Sequence, residues 1–195
     1  MKFSKTYLKI LSVSKKKFQA HGYAAVGIGE ILEESGVSRS SLYHFFPGGK
    51  EELAQAVLRD IQKDSMQRLE SFFFQSDNPV QEFENYFLAK ADEIDHGDNR
   101  VSVNMLLMEA AESSSRLHEL ACEIIDSLNA YFYKQVERCG FSEELTCQVA
   151  SAVLSMSLGA MNYCSITGKS TLLRNVVQQL PLLFEANGYK SKEIC

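Results

Sequence analysis

The chain is poor in the residues that interrupt, staple or metallate a fold. It has three prolines in 195 residues, Pro47, Pro79 and Pro181, so little breaks a helix. It has five cysteines, Cys122, Cys139, Cys147, Cys164 and Cys195, an odd number with no C-x-x-C pair. Its four histidines, His21, His44, His96 and His118, are scattered, with no H-E-x-x-H. Both patterns argue against a disulfide framework and a zinc site, and predict reduced thiols in a cytoplasm. A redox-sensing cysteine and a small buried thiol are the two readings of each. No apolar run approaches the 18 residues of a membrane span, so no membrane contact is expected, and Met1–Lys5 leads into an amphipathic pattern rather than a secretory signal. Positive charge is also short: 20 Lys and Arg against 25 Asp and Glu leave −5. That balance argues against a protein that coats nucleic acid without regard to sequence, but not against a local basic face. Period-2 alternation is missing, so strands are not expected.

What remains is helical periodicity in a composition that is 45% apolar and 23% charged, ordinary for a globular chain. The fold class expected is all-α. Tyr7, Leu8, Leu11 and Phe18 mark a first helix over 4–21, stopped by Gly22. A second spans 29–35 and stops at Gly36. A third starts at the N-cap Ser38 and ends before Pro47. A fourth runs from about Lys50 to Phe74. Further helices are expected over 79–95, 101–113, 115–139, 142–168 and 170–187. The natural division is a bundle of residues 1–50 and a helical body of 51–195.

The segment 28–46 has the form of a helix-turn-helix, with Gly36 in the turn, Val37 plugging it and Ser38 capping the second helix. With Arg39 at 0° and a step of about 100° per residue, Tyr43 falls near 40°, Ser40 near 100° and His44 near 140°. Phe45, Leu42 and Phe46 cluster at about 240–340° on the opposite side. One face is rich in hydrogen-bond donors and the other is apolar. The polar set, Ser38, Arg39, Ser40, Tyr43 and His44, suits a DNA major groove and its phosphates: Arg39 for a guanine edge, Tyr43 and His44 for phosphate oxygens. Lys50, opening the fourth helix, adds a cation beside a helix N-terminus. Lys15–Lys17 read as the exposed side of the first helix, peripheral to any phosphate. Taken alone, an amphipathic helix pair is also a common solvated surface. Gly48-Gly49-Lys50 lacks the spacing of a P-loop, and Gly27-Ile-Gly29 lacks the third glycine of a dinucleotide fingerprint.

Residues 5–65 resemble the DNA-binding domain of TetR-type transcriptional regulators. The resemblance is carried by Phe18-x-x-x-Gly22-Tyr23, Ile28-x-x-Ile31-Leu32-x-x-Ser35-Gly36-Val37-Ser38, Leu42-Tyr43-x-x-Phe46 and Lys50-Glu51-Glu52-Leu53. The string from Phe46 to Leu53 is similar to the LmrA/YxaF-type branch, as are Ser157–Ala160 and Ser170–Leu173 near the end. It departs from the family at Val26-Gly27, where many members have a hydroxyl residue; a phosphate contact there falls to backbone N–H. The resemblance implies a homodimer, through a four-helix bundle of the last two helices, on a palindromic double-stranded operator. It implies no cofactor and no enzymatic activity. It also implies a pocket inside the body for a small-molecule effector that releases the operator, aromatic or lipophilic if the pocket is apolar. Candidate lining residues are Phe87, Met105, Met108, Tyr131, Met156 and Tyr163. Val101-Ser102 stands where some related repressors carry a sensing cysteine. In the last helix, Leu173, Val176, Val177, Leu180, Leu183 and Phe184 form an apolar stripe that suits either monomer packing or the dimer. A small helical enzyme would draw on His96, His118, Glu109 and Glu112, whose spacing fits no known motif, and a non-DNA interaction module would use the C-terminal helices.

Overall fold

A computed structural model describes residues 4–97 and 103–190. Among them are nine helices and no strand. These are α1 (Lys5–His21), α2 (Ile28–Ser35), α3 (Arg39–Phe45), α4 (Gly49–Glu70), α5 (Pro79–Asp95), α6 (Val103–Ser113), α7 (Ser115–Glu137), α8 (Glu143–Thr167) and α9 (Thr171–Ala186).

Local chemistry sets most of the ends. Ser4, Ser38, Asn78 and Ser142 each accept a backbone N–H in the first turn that follows, satisfying a donor the helix leaves open. Gly36 and Gly168 end α2 and α8 in the left-handed region, where a side chain would be strained. Helix α4 stops at Glu70, four residues short of expectation. Phe74 takes φ 60, and the N–H groups of Gln75 and Ser76 turn to Glu82 Oε1, each at 2.7 Å. The expected start of α6 at Val101-Ser102 lies outside the described residues.

The chain divides into two compact units. One is formed by the described residues of Met1–Asp64 with those of Arg100–Ile124, the other by those of Ser65–Asn99 with those of Ile125–Cys195. In the first, Ile10, Phe18, Ile31, Leu42, Leu53, Val57 and Leu117 are completely or almost completely buried. In the second, Phe73, Phe83, Phe87, Phe132, Val153, Leu180 and Phe184 form the centre of a core to which α5, α8 and α9 contribute heavily. Its rings meet edge to face, as at Phe73–Phe83 (4.9 Å) and Phe83–Phe132 (5.3 Å), the arrangement favoured by aromatic quadrupoles. Glu82 is buried beside them. Its Oε2 accepts from Arg138 Nη1 at 2.6 Å, and Arg138 also donates to Ser76 O and lies over the Phe74 ring at 4.4 Å. Burial opposes the charged form of Glu82, but the Arg138 and Ser76 hydrogen bonds prevail and hold its pKa below the ordinary value. Arg174 of α9 ties to Asp92 and Asp95 of α5.

Two expectations are refined here. The α9 stripe turns inward: Leu173, Leu180 and Phe184 are fully buried and Val176 nearly so, so the stripe belongs to the monomer's core. The apolar residues that α8 and α9 leave exposed are Tyr163, Ile166, Leu172 and Leu182. Helix α8, although interrupted by serines and polar residues, is by length and composition apolar enough to cross a membrane, which differs from the expectation that no segment would be. Its buried positions, Thr146, Val149, Ala150, Val153, Ser157, Ala160 and Cys164, follow one helical stripe packed toward α9. A core helix of a folded body passes the same test of length and hydropathy, so the membrane indication is weak.

Candidate nucleic-acid interface

Helices α2 and α3 are joined by Gly36-Val37-Ser38. Buried Ser35 organises the turn: its Oγ donates to Leu32 O and accepts the Val37 N–H, both at 3.4 Å. Ser38 Oγ accepts the Ser41 N–H at 3.1 Å and lies 2.9 Å from the hydroxyls of Ser40 and Ser41. The apolar side of α3 is anchored by Leu42, fully buried, and Phe46. Tyr7 of α1 stacks on Phe46 (5.2 Å, 24°) and meets Phe45 edge-on (5.9 Å, 77°). This packing orients α3 so that Ser38, Arg39, Ser40, Tyr43 and His44 are all exposed.

The sixth residue expected on this surface, Lys50, is oriented differently. It is half-buried; its Nζ donates to Ala24 O at 3.3 Å and sits 4.4 Å from the centre of the Tyr23 ring. Burial lowers its pKa, opposed by the charges of Glu109 and Glu30. The start of α4 is further screened by Glu51 and Glu52, with Glu52 Oε2 accepting the Gly48 N–H at 2.7 Å. At the N-terminus of α2, the Gly27 N–H donates to Glu30 Oε1 at 3.0 Å, so this donor already has an acceptor within the chain. In α1, Lys15 pairs with Asp60 (2.7 Å) and Asp64, and Lys17 with Glu34 (3.0 Å), leaving Lys16 as the exposed member of the trio.

Sequence reasoning named Glu109 only for the enzyme reading and did not foresee its contact with the turn after α1. From α6 its Oε2 accepts the Ala24 N–H at 3.2 Å, across 85 positions of chain. No local signal announces such a pair.

The chain matches known proteins along most of its length. Residues 10–57 match the family model of bacterial regulatory proteins, tetR family, and residues 79–179 that of the transcriptional regulator LmrA/YxaF-like C-terminal domain. The HTH-type transcriptional regulator YxaF of Bacillus subtilis, itself uncharacterized, is 32% identical over 92% of this chain and 95% of its own length. The chain belongs to the TetR family of transcriptional regulators. The HTH-type regulator LmrA of the same organism is 26% identical over 95% of this chain and 100% of its own. Among solved structures, a TetR-type regulator from Streptomyces avermitilis superposes with a TM-score of 0.83 at 19% identity (96% of this chain, 100% of that one). Reduced NemR of E. coli gives 0.79 at 19% (92% and 97%). At such identities these structures speak for the fold alone.

In this TetR-family regulator the expected effector residues are distributed over both units. Phe87, Tyr131 and Met156 belong to the second: Phe87 is fully buried, and Tyr131 and Met156 are partly buried against its core. Tyr163, in the same unit, is 38% exposed. Met105 and Met108 belong to the first unit, and Met108 is 60% exposed. Among the described residues the buried Tyr131 hydroxyl has no hydrogen-bond partner, and burial, with the charges of Glu70 and Glu82, pushes its pKa up to about 12. Of the residues an enzyme would draw on, His96 Nδ1 lies 2.6 Å from Asp92 O, and His118 Nε2 lies 3.7 Å from Cys122 Sγ. Glu109 holds the Ala24 amide, and Glu112 is exposed.

Proposed function

We propose that this TetR-family regulator is a homodimeric repressor that reads a palindromic operator through α3 and is released by an aromatic or lipophilic effector. In this reading residues 1–50 are the reading head and 51–195 the effector and dimerisation body, and the protein works in the cytoplasm with its thiols reduced. The single observation that carries the DNA contacts is the division of α3: Leu42 and Phe46 buried, Ser38, Arg39, Ser40, Tyr43 and His44 exposed on the opposite side. Arg39 reads a guanine; the hydroxyls and His44 position the helix on phosphates. Lys50 serves the head from within, through Ala24 and Tyr23.

One short reading helix covers few base pairs, and a two-fold dimer places two of them about 34–36 Å apart, one turn of DNA. Support for the dimer face comes from α8, where Ser151, Ser155, Gly159 and Tyr163 follow an exposed i, i+4 line beside Ile166, and from exposed Leu172 and Leu182 of α9. Small residues let helices approach closely, and exposed apolar groups gain by being covered. For the effector, Tyr131 is the best-supported contact. It is neutral near pH 7, lies edge-on to Phe73 at 5.6 Å and has a buried hydroxyl available to an acceptor on the ligand. Met156 is partly buried at the same core.

Selection of bound sequences from random DNA, repeated with a panel of aromatic and lipophilic compounds, tests the whole reading. An enriched palindrome lost in the presence of one compound is the expected result; no enriched palindrome overturns it.

A further inference from the structure

The turn between α1 and α2 is held from two sides by residues outside it, all within the first compact unit. Gly22, at φ +82, ends α1, and a Cβ built on it would stand 2.6 and 2.7 Å from the two carboxylate oxygens of Glu109. Gly22 therefore leaves room for a carboxylate that presses onto the turn and accepts the Ala24 N–H at 3.2 Å. On the other peptide group of the same residue, Ala24 O accepts from Lys50 Nζ at 3.3 Å, while the ammonium covers the Tyr23 ring. Tyr23 in turn packs edge-on against Phe18 of the α1 core at 5.6 Å. A few residues further along, Ser114 Oγ, just after α6, bonds Glu51 Oε1 at 3.1 Å and also caps α7 by accepting the Leu117 N–H. The α6 end is thus fastened to the reading head at Ala24 and to the first turn of α4 at Glu51, and Ala24 is gripped on its two peptide groups by opposite charges from α6 and α4.

We infer that Glu109 is a positioning residue: by holding the Ala24 amide it fixes the reading head against α6 and so sets the half-site spacing that the dimer accepts. The inference rests on the operator reading above. Packing of apolar side chains between helices is non-directional. A carboxylate bonded to a single backbone N–H is directional, and the absence of a side chain at Gly22 lets it approach. Loss of that bond leaves α3 folded on Leu42, Phe46 and Tyr7 while widening the orientations the head adopts.

The test uses the full-length protein and duplexes built on the sequence selected from random DNA, with the half-site spacing varied one base pair at a time. Fluorescence anisotropy gives the affinity for each spacing. For the wild type, one spacing is preferred. Glu109→Ala should reduce that preference by roughly fivefold or more, within the usual range of coupling between sites, while affinity for a single half-site stays unchanged. Glu109→Gln keeps an acceptor oxygen and should restore the preference. An alanine variant with wild-type spacing preference overturns the inference; so does a glutamine variant indistinguishable from alanine. Independently of any variant, hydrogen exchange by NMR should find the Ala24 amide of the wild type protected, and an Ala24 amide exchanging at the rate of an open loop refutes the latch. A wild type that selects no palindrome defeats the operator reading instead, so the two failures are distinct.

Discussion

At the residue scale, the side chains of greatest consequence are those whose neighbours decide their charge or direction. Arg39 is exposed and enters no ion pair among the described residues, which leaves its guanidinium available for a base edge. Arg39→Ala should weaken specific binding by about 1–3 kcal/mol and relax selectivity at one base pair, measured by competition with singly substituted operators. Glu82 is the opposite case, a charge kept inside by its partners. Arg138→Ala leaves that carboxylate buried without its cation and should lower stability by about 3–5 kcal/mol in urea unfolding at pH 7. The pH dependence has a definite sign. Glu82 has a folded-state pKa below its unfolded one, so its contribution is full above the ordinary carboxylate range and is lost as pH falls through the depressed folded value. Urea titrations from neutral to acid pH should therefore show wild type losing its advantage over Glu82→Gln only toward the acid end. The thiols divide in the same manner. Burial pushes Cys139 up to about 12 and raises Cys164, whereas Cys122 and Cys147 are exposed. Alkylation with iodoacetamide at pH 7.5, followed by mass spectrometry, should label Cys122 and Cys147 well before Cys139 and Cys164.

At the element scale, the helices whose limits depend on neighbours in sequence were readable without coordinates. Gly22, Gly36 and Gly168 end α1, α2 and α8 where the turn chemistry requires, and Ser38 caps α3 as its hydroxyl suggests. The polar and apolar sides of α3 follow from its seven residues alone. Elements set by distant partners were not readable. Helix α4 ends at Glu70 because a carboxylate on α5 takes the Gln75 and Ser76 amides, and nothing in the sequence before residue 74 encodes that. Lys50 has the composition of a phosphate contact; a turn 26 positions earlier and a glutamate on α6 draw it inward. The α9 stripe has the period of a buried face, and period alone does not say whether a monomer or a dimer buries it. The Ser38 cap is testable at this scale: Ser38→Ala should cost about 1 kcal/mol of stability and reduce DNA affinity as α3 frays, read by thermal melting and anisotropy together.

At the scale of the whole molecule, the net charge of −5 averages two unlike parts. Residues 1–50 carry eight basic and three acidic side chains, and residues 51–195 twelve and twenty-two. An acidic body disfavours phosphate contact away from the head, which suits a site-specific regulator. Association belongs to this scale too. Ile166→Asp with Leu182→Asp replaces two exposed apolar groups and should convert the dimer to monomer in sedimentation velocity, with α-helical circular dichroism unchanged. Operator affinity should fall with it, since each head then binds alone.

The paired lysines of α1 bear on how binding responds to salt. Lys15 already faces Asp60 and Asp64, and Lys17 faces Glu34, so neither brings a net charge to the duplex. Each lysine that does neutralise a phosphate frees an ion condensed on the DNA and steepens the plot of log affinity against log salt concentration by about 0.9. A count of all basic residues in the head thus overstates the number of ions set free, and the measured slope counts only those cations the protein has not already neutralised from within.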